Sequence, residues 1–177
     1  ALPIRAAEWE KLPPLLTPNG GFICGAEGSK IVIVGGTNWE SGTKNWLKAI
    51  YEFDPAKMKW EKAKDLQEGP YAYGTSYQND SHLTFIGGTD GQRPLRVFAA
   101  VDGIKTVMST DLELPRSVVL AAGGYVNGKY TLVGGTDNSA NIAGVTRMTH
   151  AVEVGLNKFE VTRLADYPGK PFAVAAA

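Results

Sequence analysis

The chain has 177 residues, enough for one ordinary domain, and its 18 basic and 18 acidic residues leave a formal net charge of zero. A net charge of zero, with no run of basic residues, argues against a nucleic-acid-binding surface. No stretch approaches the roughly 20 apolar residues of a membrane-spanning helix. The single cysteine, Cys24, excludes a disulfide within the chain. Because it lies in the apolar run GFICGA, we expect it to be a buried structural thiol.

Three copies of one phrase dominate the sequence, an apolar strand that runs into Gly-Gly-Thr. The copies end at Thr37, Thr89 and Thr136, which gives periods of 52 and 47 residues. A period near 50 with an apolar strand before a glycine pair is typical of kelch-type propeller blades. The sequence therefore predicts an all-β fold, a kelch-type β-propeller with three four-stranded blades present. Because propellers have about 4 to 8 blades, we expect these three to be half of a six-bladed ring.

The predicted blades follow in chain order. Residues 21–66 contain an inner strand GGFICGA, a second strand KIVIVGG, a third strand over 47–53 and an outer strand KMKWEKA. Residues 70–112 repeat this order with YAYGTSY, HLTFIGG, LRVFAAV and IKTVMST, and residues 117–164 with VVLAAGGY, KYTLVGG, RMTHAVEV and KFEVTRL. Asn-Gly, Asp-Gly and Asp-Pro pairs between these apolar runs indicate tight hairpin turns. No amphipathic helix of useful length is expected.

Two fragments at the ends of the chain lie outside these blades. EWEKL, residues 8–12, matches the outer strand KWEKA, and KPFAVAAA, residues 170–177, matches the start of an inner strand. We assign both to incomplete blades, so that residues 1–177 are interpreted as one partial propeller. Unpaired strand edges favour association. The expected partner is either the missing half of the propeller or a second copy of the chain.

The loops after the glycine pairs are the expected functional region, because equivalent loops crowd one mouth of a propeller and loops on a rigid scaffold carry function. They read TNWESGTKNW, TDGQRP and TDNSANIAGVT. Carboxylates in such loops would face one channel and raise each other's pKa. The candidate catalytic residues are Glu40, Asp90 and Asp137. Arginine suits bidentate binding of a carboxylate, and the candidate substrate-binding residues are Arg93, Arg96, Arg147, Asn38 and Trp39.

A structural role is the competing interpretation of several of these residues. Thr and Asx residues after a glycine pair commonly form local side-chain turns at a strand end. Tyr73 and Tyr77, which lead into the second inner strand, are expected to pack between blades. No metal site is predicted, because no spacing of His, Cys and carboxylate residues suits one. No cofactor is predicted either, since the chain lacks a phosphate loop or dinucleotide fingerprint.

The runs NGGFICGAEGSKIVIVGGTNW, YEFDPAKMKWEKAKDLQEGPYAYG and HLTFIGGTDG resemble the kelch-type N-acetylneuraminate mutarotases, also called epimerases, including cyclically permuted members. The resemblance covers nearly the whole chain. It implies a six-bladed isomerase of carbohydrate metabolism that interconverts the α and β anomers of sialic acid without a cofactor. It also implies a periplasmic or secreted location, while the residues themselves leave a cytoplasmic one open.

In that family a glutamate just after one glycine pair and an arginine several residues later look catalytic. The closest counterparts in this chain are Asp90 and Arg96, where an aspartate replaces the glutamate, and we expect the family's own pair to lie in blades outside this chain. The implied partner is a sugar acid such as N-acetylneuraminate. Neither a nucleic acid nor a membrane is expected as a partner. The alternative is a non-catalytic kelch module that binds a protein or a glycan. Such a module would expose an apolar patch across several blades, whereas an enzyme would gather charges at the mouth.

Overall fold

The structure, a computed structural model, describes residues 9–78, 83–102, 105–138, 144–155 and 158–173. The strands in these ranges form three four-stranded antiparallel sheets and one two-stranded hairpin. Helix in the same ranges is limited to short 3-10 stretches, such as the three-residue turn over Glu40–Gly42. No helix among them is long and apolar enough to cross a membrane. The prediction of an all-β fold is confirmed.

The three sheets are the predicted blades. In each blade the four strands lie side by side in the order in which they occur along the chain. Blade 1 contains β1 (Ile23–Glu27), β2 (Lys30–Val34), β5 (Ala49–Asp54) and β6 (Lys59–Asp65). Blade 2 contains β7 (Thr75–Gln78), β8 (Leu83–Ile86), β9 (Val97–Asp102) and β10 (Lys105–Glu113). Blade 3 contains β11 (Ala122–Val126), β12 (Lys129–Val133), β13 (Thr149–Gly155) and β14 (Lys158–Leu164). The separate hairpin pairs β3 (Thr37–Asn38) with β4 (Asn45–Trp46) inside the loop between β2 and β5.

Tight turns join the strands at positions that the sequence indicates. Asn127 and Gly128, between β11 and β12, both have a positive φ, of 50° and 78°, as a type I′ hairpin turn requires. Between β5 and β6, the Asp54 carboxylate accepts hydrogen bonds from the backbone N–H groups of Ala56 (2.9 Å) and Lys57 (3.3 Å). The chain therefore reverses at the predicted Asp-Pro pair through a local side-chain turn.

Two hydrophobic clusters fill the interfaces between neighbouring blades. The first joins blade 1 to blade 2 and contains Ile23, Val32, Val34, Ile50, Leu66, Tyr71, Leu83, Phe85 and Ala99. The second joins blade 2 to blade 3 and contains Tyr77, Ile86, Phe98, Leu114, Val118, Ala121, Tyr130, Leu132 and Val152. The Tyr77 hydroxyl donates a hydrogen bond to the Thr131 carbonyl (2.8 Å) across the second interface. The expectation that Tyr77 packs between blades is confirmed.

A third, smaller cluster covers the face of blade 1 that points away from blade 2, with Ile33, Ala49, Tyr51, Leu15, Phe22 and Trp60. The segment before β1 runs across this face, where the Trp60 indole N–H donates to the Pro13 carbonyl (3.1 Å). Residues 9–12, predicted to be an outer strand, lie outside the strands that form within this chain. Their pairing with a strand of another blade stays a prediction.

Cys24 is exposed, and the prediction of a buried thiol is wrong. Side chains alternate along a strand. In β1, Gly25 approaches Leu83 of blade 2, whereas Cys24 pairs with Ile33 on the opposite face, over which the described chain places no further blade. Partial burial still raises the pKa of the Cys24 thiol.

The glycine pairs connect each unit to the next. The second glycine of every pair donates its backbone N–H to a carbonyl in the segment that opens the next unit: Gly36 to Tyr71 (2.7 Å), Gly88 to Val118 (2.8 Å) and Gly135 to Phe172 (2.8 Å). Phe172 therefore occupies the position that Tyr71 and Val118 occupy at the two interfaces inside the chain. Residues 174–177 lie outside the described residues, and the assignment of 170–177 to a further blade stays a prediction.

Candidate functional site

The inner ends of the three blades are joined by hydrogen bonds between equivalent backbone groups. The N–H of Tyr73 donates to the Gly21 carbonyl (2.8 Å), and the N–H of Leu120 donates to the Tyr73 carbonyl (2.9 Å). All three residues have a positive φ, of 67° for Gly21, 59° for Tyr73 and 57° for Leu120. This conformation costs roughly 1–2 kcal/mol for a residue with a side chain. The hydrogen bonds between blades stabilise it and fix Tyr73 beside the first loop.

The first loop folds into the β3–β4 hairpin and presents Trp39 and Glu40 at its tip. Both residues are exposed, Trp39 by 68%. Asn38 is buried, and its Oδ1 accepts a hydrogen bond from Asn45 Nδ2 (2.9 Å) while its Nδ2 donates to Glu40 Oε2 (3.4 Å). Asn38, predicted to bind substrate, therefore orients Glu40 within the loop. Trp39 presents an aromatic surface to solvent.

The second loop uses the Asp90 carboxylate to build its own turn. Asp90 Oδ1 accepts hydrogen bonds from the backbone N–H groups of Gln92 and Arg93, both at 2.8 Å, and Oδ2 lies 3.6 Å from Arg93 Nε. Burial raises the pKa of the Asp90 carboxyl, but the hydrogen bonds and the Arg93 charge outweigh it and hold the pKa below its ordinary value. The prediction that neighbouring carboxylates raise the pKa is therefore wrong for Asp90.

The third loop places Asp137 beside a cation from the junction between blades 2 and 3. Asp137 Oδ2 lies 4.0 Å from Arg116 Nη2, and the Asp137 side chain is 58% exposed. Arg116 Nη1 also lies 2.8 Å from the Met148 sulfur, which holds the guanidinium against blade 3. Residues 139–143 of this loop lie outside the described residues. Asp137 remains open to a ligand from the solvent side.

Buried threonines hold the bases of the loops. Thr89 and Thr136, each directly after a glycine pair, are buried. Thr89 Oγ1 donates to the Arg93 carbonyl (2.9 Å), and Thr136 Oγ1 donates to the Asn138 carbonyl (3.0 Å). The structural interpretation of these two threonines is confirmed, because their hydroxyl groups close local turns at the strand end.

A repeated ion pair involves two of the predicted substrate-binding arginines. A basic residue just before each third strand meets an acidic residue at or just after the end of the outer strand: Lys48 with Asp65 (3.8 Å), Arg96 with Glu113 (3.6 Å) and Arg147 with Asp166 (3.9 Å). The backbone carbonyl of each basic residue also accepts a hydrogen bond from the backbone N–H of the residue that follows the acidic one, at 2.7, 2.9 and 2.9 Å. A contact that recurs at one place in three blades belongs to the scaffold. Arg96 and Arg147 are thus engaged with carboxylates of their own blades.

Lys44 forms a cluster with two aromatic rings, and sequence reasoning missed it. Lys44 Nζ lies 4.4 Å from the centroid of the Trp46 ring and 4.7 Å from that of the Tyr73 ring. The two rings meet edge to face, with centroids 5.8 Å apart. A lone lysine in a polar loop carries little sequence signal. Its place becomes evident only when β4 pairs with β3 and brings Lys44 to the opening of the next blade.

The Tyr73 hydroxyl is the polar end of this cluster. It shares a 3.0 Å hydrogen bond with the Thr37 hydroxyl. Burial raises the pKa of Tyr73, but the interactions with the Lys44 ammonium and the Thr37 hydroxyl outweigh it, so that the pKa lies below its ordinary value. Tyr73 was expected to pack between blades, and it does so with its hydroxyl directed at a polar group of blade 1.

Two of the loops that carry the predicted site residues are in contact. A Cβ on Gly91 would lie 2.7 Å from the Trp46 ring, so the first and second loops touch there. The hydrogen bonds and ion pairs seen among the described residues do not join Glu40, Asp90 and Asp137 to one another. A single pocket that contains all three stays a prediction. The described residues also contain no group of three His, Cys, Asp or Glu side chains arranged for a metal ion.

A small crevice lies between blades 2 and 3, beneath Arg116. Burial lowers the pKa of His150 in this crevice, and the positive charges of Arg163 and Arg116 add to that effect. A histidine with a lowered pKa is neutral near physiological pH. The crevice is lined by Leu114, Pro115, Arg116, Val118, Leu132, Gly134, Met148 and His150.

Comparisons with known proteins agree with this geometry. A family model described as a kelch motif matches residues 18–66, which contain blade 1. The solved structure of YjhT resembles this chain with a TM-score of 0.78 at 14% sequence identity. The three sheets are blades of a kelch-type propeller. The match covers 95% of this chain and 58% of the YjhT chain, so the chain spans little more than half of that protein. No curated protein matches the sequence.

Proposed function

We propose that this chain is part of a mutarotase that interconverts the α and β anomers of N-acetylneuraminate. The observation that carries the proposal is that each loop after a glycine pair holds charged side chains: Glu40 in the first, Asp90 and Arg93 in the second, and Asp137, beside Arg116, in the third. Among the described residues of these loops and of the junctions that follow the outer strands, the exposed large apolar side chains are few: Trp39, Met148 and Tyr167. A charged mouth supports a catalytic site over an apolar docking face.

Mutarotation needs the kind of groups that this mouth contains. A base removes the proton of the anomeric hydroxyl, the ring C–O bond breaks, and an acid protonates the ring oxygen to give the open-chain ketone. The reverse steps on the other face of the carbonyl close the second anomer, so that no proton is gained or lost overall. Positioned acid and base groups contribute about 10²–10⁴-fold. Glu40 and Asp137 suit these roles because both are exposed carboxylates.

Binding of the sugar acid would use the remaining mouth residues. Trp39 offers a flat apolar surface against which a sugar ring can stack. Arg93 is a candidate for the substrate carboxylate because its side chain is 79% exposed, although Asp90 competes for it. The expected roles of Arg96 and Arg147 in binding are less well supported, since both have carboxylate partners in the scaffold.

The second candidate function is a non-catalytic module that binds a glycan or a protein. Two acidic groups at the mouth have basic partners, Asp90 with Arg93 and Asp137 with Arg116, which is the arrangement of a structural ion pair. The exposed Trp39 would serve such a module equally well. The two functions differ in whether the bound sugar exchanges anomers.

Proton NMR of freshly dissolved α-anomer distinguishes them. The full-length protein should speed exchange without added metal, and Glu40→Gln and Asp137→Asn should each lower the catalysed rate more than about tenfold. Glu61→Gln, at an exposed glutamate on outer strand β6, is the matched control and should leave the rate unchanged. If the full-length protein leaves exchange at its spontaneous rate, the mutarotase proposal falls and the binding module takes its place.

A further inference from the structure

We infer that Lys44, supported by Trp46 and Tyr73, binds the carboxylate group of an acidic ligand at this mouth. The inference takes its substrate class, an acidic sugar, from the proposed function. It assigns the carboxylate to a lysine in place of the loop arginines that the sequence singles out. Three observations carry it: an unbalanced charge, a rigid support and an adjacent hydroxyl group.

Lys44 is a mouth cation whose charge is not balanced by a carboxylate of the described residues. Arg93, Arg96, Arg116 and Arg147 each lie within 4.0 Å of a carboxylate. Lys44 is half-buried and makes no ion pair with a carboxylate of the described residues. Ring faces attract an ammonium weakly at exposed sites but do not neutralise it. A ligand carboxylate would supply the missing charge and accept from the ammonium donors.

The support beneath the ammonium is rigid. Trp46 is held by its backbone pairing with Thr37, and its ring rests on Gly91, where a Cβ would come within 2.7 Å of the ring. The Tyr73 ring rests on Gly21, where a Cβ would lie 2.2 Å from the ring edge. Two glycines from different blades thus make room for the two rings. The ammonium is placed before a ligand arrives, and such preorganisation favours affinity.

The Tyr73 hydroxyl gives the site a second polar group beside the ammonium. It already shares a hydrogen bond with Thr37, which fixes the position of its oxygen. Thr37 Oγ1 donates its own proton to the Gly20 carbonyl (3.2 Å), so the Tyr73 hydroxyl donates to Thr37, and its oxygen interacts with the Lys44 ammonium. A ligand carboxylate is therefore bound through the ammonium, which the hydroxyl oxygen helps to hold in place. In the second loop Pro94 holds the position of Trp46, because Pro94 pairs with Thr89 as Trp46 pairs with Thr37. The second loop therefore lacks the aromatic ring, and it also has no lysine.

The experiment compares an acid with its neutral ester. Binding of N-acetylneuraminate and of its methyl ester to the full-length protein is measured by calorimetry. Two neutral variants, Lys44→Met and Lys44→Gln, keep much of the aliphatic stem over the rings. We expect each to weaken binding of the acid about tenfold or more and to leave binding of the ester unchanged. Lys44→Arg should retain a preference for the acid. Lys64→Met, on outer strand β6, is the control and should behave as wild type.

Anomer exchange is followed in the same samples, so that the two proposals fail separately. A preference for the acid that depends on Lys44, without catalysed exchange, supports the site and removes the mutarotase assignment. If exchange is catalysed and both neutral variants still bind the acid more tightly than the ester, the Lys44 site is overturned and the mutarotase proposal stands. Absence of any binding of the acid by wild-type protein also overturns the site. Thermal unfolding of each variant confirms that the fold is intact.

Discussion

The polar residues of the mouth differ in what their own side-chain atoms already contact. The Asp90 carboxylate closes a turn through two backbone N–H groups and lies beside Arg93, whereas Glu40 receives one long hydrogen bond from Asn38. A side chain whose hydrogen bonds are made within its own loop contributes mainly to the stability of that loop. This difference gives Asp90 a testable signature in the pH dependence of unfolding.

Replacing Asp90 with alanine should lower the free energy of unfolding by about 1 kcal/mol near neutral pH, because two backbone donors lose their acceptor. The pKa of Asp90 in the folded protein lies below the ordinary value of 3.8. Its contribution is therefore present above the unfolded-state pKa and is lost as the pH falls through the folded-state pKa. Urea unfolding at about pH 7 and about pH 2 measures both limits.

The difference between wild type and Asp90→Ala should shrink at the acidic pH. Asp90→Asn is the matched control, since its side-chain oxygen still accepts the two N–H groups but does not titrate. It should keep most of the stability at neutral pH. An equal loss for Asp90→Ala at both pH values would mean that the charged form of the carboxylate is not what the turn uses.

At the scale of the element, the glycine pairs decide how closely one blade approaches the next. Gly35 has a φ of 63°, and a Cβ at this position would lie 2.0 Å from the Tyr71 carbonyl oxygen of the following blade. Gly28, in the turn between β1 and β2, has a similar φ of 57° but no atom within 4 Å of such a Cβ. The two glycines therefore share one backbone conformation and differ in the close approach of a neighbouring blade.

Alanine at these two positions separates backbone strain from blade contact. Gly28→Ala should cost about 1 kcal/mol of unfolding free energy, the strain of a side chain at positive φ. Gly35→Ala should cost roughly 2–4 kcal/mol, because the methyl group also pushes on the Tyr71 backbone. Urea unfolding of both variants beside wild type measures the two costs. Equal costs would contradict the view that the glycine pair sets the spacing between blades.

The sequence predicts the blades well because their signals are local. The Gly-Gly-Thr repeat and the alternating apolar runs follow from neighbours along the chain, and the four-stranded sheets appear where they indicate. The cluster of Lys44 with Tyr73 was not predictable in this way, since it depends on the β3–β4 hairpin meeting the opening of blade 2. The exposure of Cys24 likewise depends on which blade covers its face, a tertiary property that an apolar run does not encode.

At the scale of the whole molecule, one face of blade 3 remains open. Val34 and Ile86 hold equivalent places directly before a glycine pair, and both are 0% exposed because the following blade covers them. Val133 holds the same place in blade 3 and is only partly buried, since the described chain has no further blade beside it. A closed ring would cover this face.

We therefore expect the 177-residue chain to associate in solution, with either the remaining blades of a longer protein or a second copy against the open face of blade 3. Sedimentation velocity over a range of concentrations measures this. Val133→Glu places a charge on the open face and should shift the chain towards monomer. Met58→Glu, at an exposed residue in the turn before β6, adds the same charge elsewhere and should leave association as in wild type. A chain that stays a compact monomer at high concentration would show that the open face needs no partner, and the interpretation as a partial ring would then lose its main physical support.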